Sequence, residues 1–212
     1  MSFSQCRQDT VLASLLKDIR SGFFVESGAR DGQVDSNTIY YEWRGWQGLL
    51  IEPSREYFHI ASKCRKAYVF HGALSPKAQS TKLGFLDSAD GVSHVDGERP
   101  PDVQAEPLER LLYAVDPNRR TVDFWSLDIE GSEGPVLEST NFSKIEFGVL
   151  MIEYTLDNID NQERITAAMA KKKFTDIGRT ECWGRYLDHV FVNEAYFRKR
   201  GLAVPGRIFG LY

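Results

Sequence analysis

The sequence predicts an α/β fold built around a mainly parallel sheet. Short apolar runs typical of buried strands alternate with amphipathic stretches typical of helices, and Gly or Pro ends several of the runs. The chain has 212 residues, of which 42% are hydrophobic and 26% are charged, with a formal net charge of −4. This composition is typical of a globular protein with one sizeable core, and we expect one domain over residues 1–212.

The first half of the chain carries three strand patterns separated by helix patterns. Short apolar runs predict buried strands at residues 23–25, 48–51 and 67–70. Apolar residues at helical spacing predict helices over residues 8–19, from a start near Ser36, and over 57–63. Ser36 is a good N-cap because its hydroxyl accepts a hydrogen bond from a free backbone N–H of the first turn.

The middle of the chain, residues 76–102, shows little periodicity. It contains Gly91, Gly97 and the pair Pro100-Pro101. We interpret it as an irregular insertion or a short hairpin. Because loops of this kind often carry binding residues, we expect the insertion on the substrate side.

The second half continues the alternation of strands and helices. We predict helices over 108–112 and 161–173, strands over 122–129 and 147–152, and two paired closing strands at 174–177 and 189–193. The C-terminal stretch, residues 195–212, is basic with interleaved aromatic side chains. We expect a tail that packs back on the domain.

Composition excludes several classes of protein. A pI near 5.6 lacks the basic footprint of a nucleic-acid binder. No apolar run reaches the roughly 18 residues of a membrane span, and the first ten residues carry no signal pattern. Cys6, Cys64 and Cys182 lie far apart with no CxxC pair, so we expect free thiols and no zinc site. These features predict a cytoplasmic protein without a membrane span.

Polar residues follow the first two predicted strands at their carboxyl ends, where open parallel sheets bind ligands. Glu26 is followed by Gly28 and Gly32, and glycine allows the backbone to approach a ligand closely. Glu52 ends the second strand, where nucleoside-binding α/β domains carry an acidic residue. A carboxylate suits this position because it can accept both ribose hydroxyl protons.

The strand predicted at 122–129 is followed by a second group of carboxylates. Alternation along a strand predicts that Asp128 and Glu130 lie on the same side, at the carboxyl edge. Two carboxylates there suit substrate positioning, proton acceptance or cation binding. Glu133 is well placed as an acidic residue in the first turn of the following helix.

Three ordered blocks of sequence resemble a known family. FFVESGARDGQVDSNT at 23–38, WQGLLIEP at 46–53 and DFWSLDIEGSEGPVL at 123–137 resemble the FkbM-type S-adenosylmethionine-dependent methyltransferases, most closely their Star-like branch. With Gln8-Asp9 and DHVFV at 188–192, the resemblance covers residues 4–194. It implies a Rossmann-like seven-stranded methyltransferase sheet of order 3-2-1-4-5-7-6, with helices on both faces. It also implies S-adenosylmethionine as the cofactor.

The resemblance further implies the residues of the site. The cofactor-binding candidates are Glu26, Gly28, Ala29, Gly32, Asn37, Glu52, Pro53, Ala73, Leu74 and Asp128. In the implied arrangement, Glu52 holds the ribose hydroxyls and the stretch 71–74 lies near the adenine. Asp128 faces the methionine or the methyl group, and Asn37 braces the loop or reaches the site.

The resemblance implies O-methylation of a sugar or another small-molecule acceptor. Removing a hydroxyl proton requires a base, and our catalytic candidates are Asp128 and Glu153. Glu130 and His94 are the alternatives for this role.

Other interpretations stay open at this point. We expect no metal, but oxygen ligands from Asp128, Glu153, Asp157 and Asn158 would suit Mg²⁺ or Ca²⁺. A catalytically inactive binding or trafficking module on the same fold is the alternative function. A nicotinamide-dependent dehydrogenase would need the GxGxxG spacing, which this glycine turn lacks.

Overall fold

The computed structural model describes residues 2–86, 94–95, 98–155, 157–182 and 186–208. The helices are α1 (Gln8–Leu15), α2 (Ile39–Trp43), α3 (Arg55–Cys64), α4 (Leu108–Val115), α5 (Glu133–Ser139), α6 (Ile159–Lys171) and α7 (Glu194–Lys199). The strands are β1 (Phe23–Ser27), β2 (Gln47–Glu52), β3 (Tyr68–His71), β4 (Ala73–Leu74), β5 (Thr81–Leu83), β6 (Phe85–Leu86), β7 (His94–Val95), β8 (Val103–Glu106), β9 (Thr121–Leu127), β10 (Glu146–Thr155), β11 (Thr175–Cys182) and β12 (Tyr186–Val192).

Seven strands form the main sheet, in the order β3-β2-β1-β9-β10-β12-β11. Numbered over the whole chain, this order differs from the predicted 3-2-1-4-5-7-6, because five short strands between β3 and β9 stand outside the sheet. Counted among the seven strands alone, the succession is 3-2-1-4-5-7-6. The sheet is mixed: β12 runs antiparallel to β10 and β11, while the other neighbours are parallel.

The sheet is covered by helices on both faces, as predicted. Alternate residues of β1 show this arrangement: Phe23 and Val25 pack in one core cluster with α4, α5 and α6. Phe24 packs in the other cluster, with α1, α2, α3 and α7. Because both faces are buried, the central strands are nearly continuous apolar runs, as parallel sheets require.

Several predicted element ends are wrong; β11, for example, ends at Cys182 rather than at 177. The first helix ends at Leu15 rather than at residue 19, because the chain turns there to bury Leu16 fully. β9 ends at Leu127 rather than at 129, because the backbone turns away with positive φ at Glu130 (55°). Strand alternation is therefore the wrong reason for placing Asp128 and Glu130 on the same side, although both residues do lie together at this edge of the sheet.

The predicted insertion at 76–102 contains short strands. β5 pairs with β8, which also pairs with β4, and β6 pairs with β7. Residues 87–93 and 96–97, including Gly91 and Gly97, lie outside the described residues, as does the side chain of His94. The insertion thus contributes β5 to a three-stranded sheet with β4 and β8, and it forms a separate two-stranded sheet from β6 and β7.

The C-terminal segment returns to the sheet. The backbone N–H of Ile208 donates to the carbonyl oxygen of Ile177 on β11 at 2.7 Å. Gly178 has φ of +129°, and a Cβ there would lie 2.3 Å from the carbonyl oxygen of Ile208. The glycine therefore permits this close packing.

The expectation of free thiols is wrong for Cys6, which is disulfide-bonded, whereas Cys64 is an exposed free thiol. Spacing in the sequence cannot show which distant segments meet. Here the N-terminal segment crosses the sheet edge, and Gln8 Nε2 donates to Asp188 on β12 at 2.8 Å. Disulfides are rare in reducing compartments, so the cysteines no longer support the predicted cytoplasmic location.

In the part of the chain that the structure describes, every helix is too short or too polar to cross a lipid bilayer.

The buried carboxylate of Asp123 links the start of β1 with helix α7, two segments that are far apart in the sequence. Asp123 on β9 accepts hydrogen bonds from the backbone N–H of Phe23 at 2.6 Å and from the hydroxyl of Tyr196 on α7. The side chains of Asp123 and Tyr196 are buried. Asp123 therefore fixes the start of β1 and the position of α7 together.

We expect Tyr196→Phe to lower the free energy of unfolding by about 1–3 kcal/mol, because a buried carboxylate oxygen loses its donor. Urea denaturation measures this change. The control is Tyr113→Phe, at an exposed tyrosine of α4, which should leave the unfolding free energy within about 0.5 kcal/mol of the wild type. Equal stability of Tyr196→Phe and the wild type would contradict the assignment.

Candidate active site

The loops after β1 and β9 touch at Gly28. The backbone N–H of Asp128 donates to the carbonyl oxygen of Ser27 at 3.2 Å, which extends the pairing of the two strands by one residue. Gly28 has φ of +78°, and a Cβ there would lie 1.8 Å from the carbonyl oxygen of Asp128. Only glycine fits this position, and its close approach fixes Asp128 at the edge of the sheet.

Two cavities open on this edge, and they share Gly28, Arg30, Asp128 and Glu130. The first, the apolar cavity, encloses about 810 Å³ including its mouth. Its walls come from the ends of β2 and β4, from α3 and from the insertion. The remaining lining residues are Ile51, Glu52, Pro53, Tyr57, Ala73, Leu74, Pro76, Leu83, Phe85, Ile129 and Ser132.

The second cavity, the polar cavity, encloses about 990 Å³ including its mouth. It lies over β1, β9, β10 and β12, and the N-terminal segment closes one side. The remaining lining residues are Gln5, Gln8, Glu26, Ser27, Ala29, Val34, Asp35, Ser36, Asn37, Ser126, Glu153 and Asp188. Asp128 therefore stands at the junction of an apolar and a highly acidic space.

Glu52 is a buried carboxylate in the wall of the apolar cavity. One oxygen accepts the backbone N–H of Arg30 at 2.6 Å, and the other accepts that of Ser54 at 2.7 Å. These two bonds orient the Glu52 carboxylate in the cavity wall.

Glu26 belongs to the polar cavity, but its oxygens are used inside the protein. They accept hydrogen bonds from the hydroxyls of Ser36 (2.9 Å) and Thr38 (2.6 Å) and from the backbone N–H of Asn37 (2.7 Å). Its first task is thus to hold residues 36–38 against the end of β1.

Arg65, at the end of α3, completes this network. Its side chain is fully buried and donates to the carbonyl oxygen of Gly32 at 2.7 Å and to the hydroxyl of Thr38 at 3.0 Å. It also forms ion pairs with Glu26 at 3.5 Å and Glu42 at 3.2 Å. The sequence analysis missed Arg65, because a lone arginine 39 positions from Glu26 gives no local signal.

Asn37 bridges the network to the neighbouring strand. Its Nδ2 donates to the hydroxyl of Ser126 on β9 at 3.1 Å. Its Oδ1 is buried in the wall of the polar cavity and has no hydrogen-bond partner among the described residues. An acceptor held in this way is available to a donor on a ligand.

Asp128 and Glu153 form a hydrogen-bonded pair of carboxyl groups. Burial, together with the negative charge of Asp128, raises the pKa of Glu153 to about 12. Burial and the charge of Glu130 also raise the pKa of Asp128 well above its usual value. Like charges this close cannot both ionise, so Glu153 is protonated at neutral pH and donates to Asp128. Its Oε2 has no partner among the described residues.

Glu133, at the start of α5, braces the loop that carries Asp128. Its carboxylate accepts the backbone N–H groups of Ile129 (2.8 Å) and Gly131 (3.1 Å) and the Nδ2 of Asn161 (2.7 Å). Glu133 is fully buried, and burial raises its pKa. Asn161 is a second residue that sequence analysis missed.

The acidic residues considered for a metal are only partly brought together. Asp128, Glu133 and Glu153 each place one carboxylate oxygen within 4.8 Å of the others. Asp157 is exposed, and the Oδ1 of Asn158 accepts the backbone N–H of Asn161 to cap α6. The four residues considered from sequence as metal ligands therefore do not come together in one site.

The other predicted residues divide between the two cavities. Pro53, Ala73 and Leu74 line the apolar cavity, and Ala29 lines the polar one. Gly32 lines neither cavity. Its φ of +73° and its contact with Arg65 make it part of the loop support.

Comparisons with known proteins identify the family and the fold of the chain. The family model described as the methyltransferase FkbM domain matches residues 26–177, well over half of the chain. No curated protein matches the sequence.

Several solved structures share the fold at low sequence identity. The METTL16 methyltransferase domain is 11% identical, with a TM-score of 0.52 over 87% of this chain and 65% of that one. An rRNA methylase from Streptococcus thermophilus is 12% identical, with a TM-score of 0.50 over 87% of this chain and 92% of that one. A putative class I S-adenosylmethionine-dependent methyltransferase from Listeria monocytogenes is 8% identical, with a TM-score of 0.50 over 95% and 61%. The chain belongs to the methyltransferase FkbM domain family, whose cofactor is S-adenosylmethionine.

Proposed function

We propose that this protein transfers a methyl group from S-adenosylmethionine to a hydroxyl group of a sugar or another small-molecule acceptor. The observation that carries the proposal is the position of Asp128, a carboxylate at the junction of the apolar and polar cavities. An adenosine group suits the first cavity, and the methionine part of the cofactor and a polar acceptor suit the second. The reacting groups would then meet beside Asp128.

The residues of the apolar cavity fit the adenosine part of the cofactor. Glu52 lies in the wall of this cavity, and its carboxylate would accept from the two ribose hydroxyls. Pro53, Ala73 and Leu74 supply apolar surface for the adenine, and Leu83 and Phe85 face it from the insertion. In this arrangement the described part of the insertion covers the cofactor rather than the acceptor.

The methionine part would occupy the polar cavity beside the loop after β1. Gly28 and Ala29 present backbone there, and the unpartnered Oδ1 of Asn37 would accept from the ammonium group. In this arrangement Glu26 and Gly32 do not contact the ligand themselves. They support the loop through Arg65 and residues 36–38. The network thus holds the loop in a fixed shape before the ligand binds, which lowers the cost of binding.

S-adenosylmethionine supplies a methyl group on a positively charged sulfur, which is already a strong methyl donor. The protein must hold the acceptor oxygen in line with that methyl group and remove the hydroxyl proton. Asp128 would accept this proton. Its pKa is raised, so the carboxylate is a stronger base than an exposed aspartate. Glu153 stays protonated and orients Asp128 through their hydrogen bond.

We expect Glu52→Ala to weaken binding of S-adenosylhomocysteine by about 1–3 kcal/mol, because buried hydrogen bonds to the ribose are lost. Isothermal titration calorimetry measures the affinity. Glu163→Ala, at an exposed position of α6, is the matched control and should bind as the wild type does. Unchanged affinity in a folded Glu52→Ala protein would refute the ribose role.

We expect Asp128→Asn to lower turnover by roughly 10²–10⁴-fold, because the amide cannot accept the hydroxyl proton. The assay follows formation of S-adenosylhomocysteine with a panel of hydroxyl acceptors. Affinity for S-adenosylhomocysteine should change much less than turnover, since the substitution preserves size. A variant with full turnover would show that Asp128 is not the base.

We expect the pH dependence of stability to change in Glu153→Gln. In the wild type, the native carboxyl group keeps a proton that the unfolded chain loses above its ordinary pKa of 4.5. The native state then binds more protons, so wild-type stability falls as pH rises, by at most about 1.4 kcal/mol per pH unit. The glutamine side chain does not ionise, so the variant lacks this contribution to the pH dependence of stability.

Denaturant unfolding from about pH 5 to about pH 8 tests this expectation. The difference in unfolding free energy between Glu153→Gln and the wild type should shift in favour of the variant as pH rises. The exposed-site variant Glu163→Gln should follow the wild-type curve. Parallel curves for all three proteins would mean that Glu153 is ionised in the native state.

A further inference from the structure

The edge of the main sheet opposite the two cavities is rich in basic residues. Six of the seven strands start at this edge, which we call the amino edge, and the antiparallel strand β12 ends there. Each chain segment that enters or leaves a strand at the amino edge carries at least one lysine or arginine. The segments are residues 16–22, 44–46, 65–67, 116–120, 140–145, 172–174 and 193–201. Their carboxyl residues are Asp18, Asp116 and Glu194, so basic residues predominate there although the whole chain has a net charge of −4.

An open groove lies on the amino edge beside the starts of β9 and β10, and we call it the basic groove. It encloses about 940 Å³ including its mouth. The cations that line it are Arg120, Lys144, Lys172 and Lys199. Glu146 is the one carboxyl residue among its described lining residues, and it already pairs with Lys199 at 3.4 Å and with Arg200 at 2.8 Å. The groove therefore holds more positive charge than Glu146 neutralises.

The other cations of the basic groove have few negative partners. Arg120 donates to the backbone carbonyl oxygens of Pro117 at 3.0 Å and Arg119 at 2.8 Å, which carry no net charge. Lys144 forms no ion pair with any residue that the structure describes. Burial and the positive charge of Lys171 lower the pKa of Lys172. An anion bound in the groove would relieve this repulsion.

The floor of the basic groove is apolar. Phe142 and Phe174 are half-buried there, with ring centroids 5.8 Å apart, and the buried ring of Phe147 lies 4.6 Å from that of Phe142. The Nζ of Lys172 lies over the ring of Phe142, 4.7 Å from its centroid. A cationic rim above an apolar floor fits an amphiphile with a negatively charged headgroup better than a wholly polar anion.

The basic groove is far from the candidate active site. It is lined by the first residues of β9 and β10, whereas Asp128 follows the last residue of β9. β9 has seven residues, and with a rise of about 3.3 Å per residue its two ends are about 20 Å apart. A headgroup held in the groove therefore does not reach Asp128 and leaves both cavities open. This separation is typical of an attachment surface rather than of a substrate site.

We propose that the amino edge binds the surface of a lipid bilayer that contains anionic phospholipids, with a headgroup in the basic groove. A negatively charged bilayer surface attracts clusters of lysine and arginine. The phosphate would contact the cations of the rim, and the glycerol part of the lipid would contact the phenylalanine floor. The two cavities would then face the aqueous phase. This proposal does not depend on the proposed function.

An exposed aromatic residue at the same edge supports a bilayer as the partner. Tyr113 is 54% exposed near the end of α4, and its ring packs against the guanidinium of Arg120 at 5.2 Å. Tyrosine is enriched where proteins meet the headgroups of a bilayer, because its ring is apolar and its hydroxyl is polar. The amino edge thus combines positive charge with an aromatic side chain of this type.

Sedimentation of the full chain with vesicles tests the proposal. One vesicle is phosphatidylcholine alone, and the other contains about 30% phosphatidylserine. We expect at least about tenfold tighter binding to the anionic vesicle at about 0.1 M salt, and loss of this preference at about 1 M salt, where charges are screened within about 3 Å.

Variants locate the binding surface. Lys144→Gln/Lys172→Gln removes two cations of the basic groove and should weaken binding to the anionic vesicle at least about tenfold. The matched control, Lys77→Gln/Lys82→Gln, removes two exposed lysines of the insertion and should bind as the wild type does. Urea denaturation shows whether each variant is folded. Lys144→Gln alone, at an exposed position, replaces the double variant if that protein is unstable, and should weaken binding at least about threefold.

Three results would overturn the proposal: no binding to either vesicle, equal binding to both, or the same affinity in the groove variant as in the control variant. Tighter binding of a single-stranded RNA or a duplex DNA than of the anionic vesicle, with loss of that binding in the groove variant, would also overturn it. That outcome would identify a nucleic acid as the partner of the amino edge.

Discussion

The site depends on the backbone contact between Gly28 and Asp128. β1 and β9 are neighbours in the sheet, and the turn at Gly28 brings the two loops closer than any side chain at that position would allow. This contact separates the apolar cavity from the polar cavity and leaves Asp128 in the wall of both. Under the proposed function, the methyl group and the acceptor would meet where the two cavities join, beside this glycine.

Several carboxylates lie at the carboxyl edge of the sheet, and the structure stabilises them in three different ways. Glu26 is paired with a buried arginine, and Glu52 and Glu133 accept backbone N–H groups. Asp128 and Glu153 are stabilised by keeping a proton between them. The first two arrangements fix the shape of the loops, whereas the third leaves a group that can take up a proton. Structural and chemical roles are thereby divided among residues of the same type.

The sequence predicted most of the sheet, because both of its faces are buried and its strands are therefore apolar runs. It also placed Glu26, Glu52 and Asp128 at strand ends, since each follows such a run directly. It could not predict Arg65 or Asn161, whose partners are distant in the chain. The end of β9 was wrong because positive φ at Glu130 leaves no clear mark in the sequence. The disulfide at Cys6 was missed for the same reason as Arg65.

The roles of neighbouring acidic residues were also beyond sequence reasoning. Glu133 and Glu153 are both buried, but Glu133 is surrounded by N–H donors, whereas Glu153 faces another carboxyl group. Only the three-dimensional surroundings distinguish a loop brace from a group that holds a proton. The same is true of Leu83 and Phe85, which lie in an irregular segment but line the apolar cavity.

A crystal structure of the complex with S-adenosylhomocysteine tests the central claim most directly. The account predicts that the ribose hydroxyls contact Glu52, that the adenine lies in the apolar cavity, and that the sulfur lies beside Gly28 and Asp128. A cofactor bound away from these residues, or with its sulfur far from the junction of the two cavities, would contradict it.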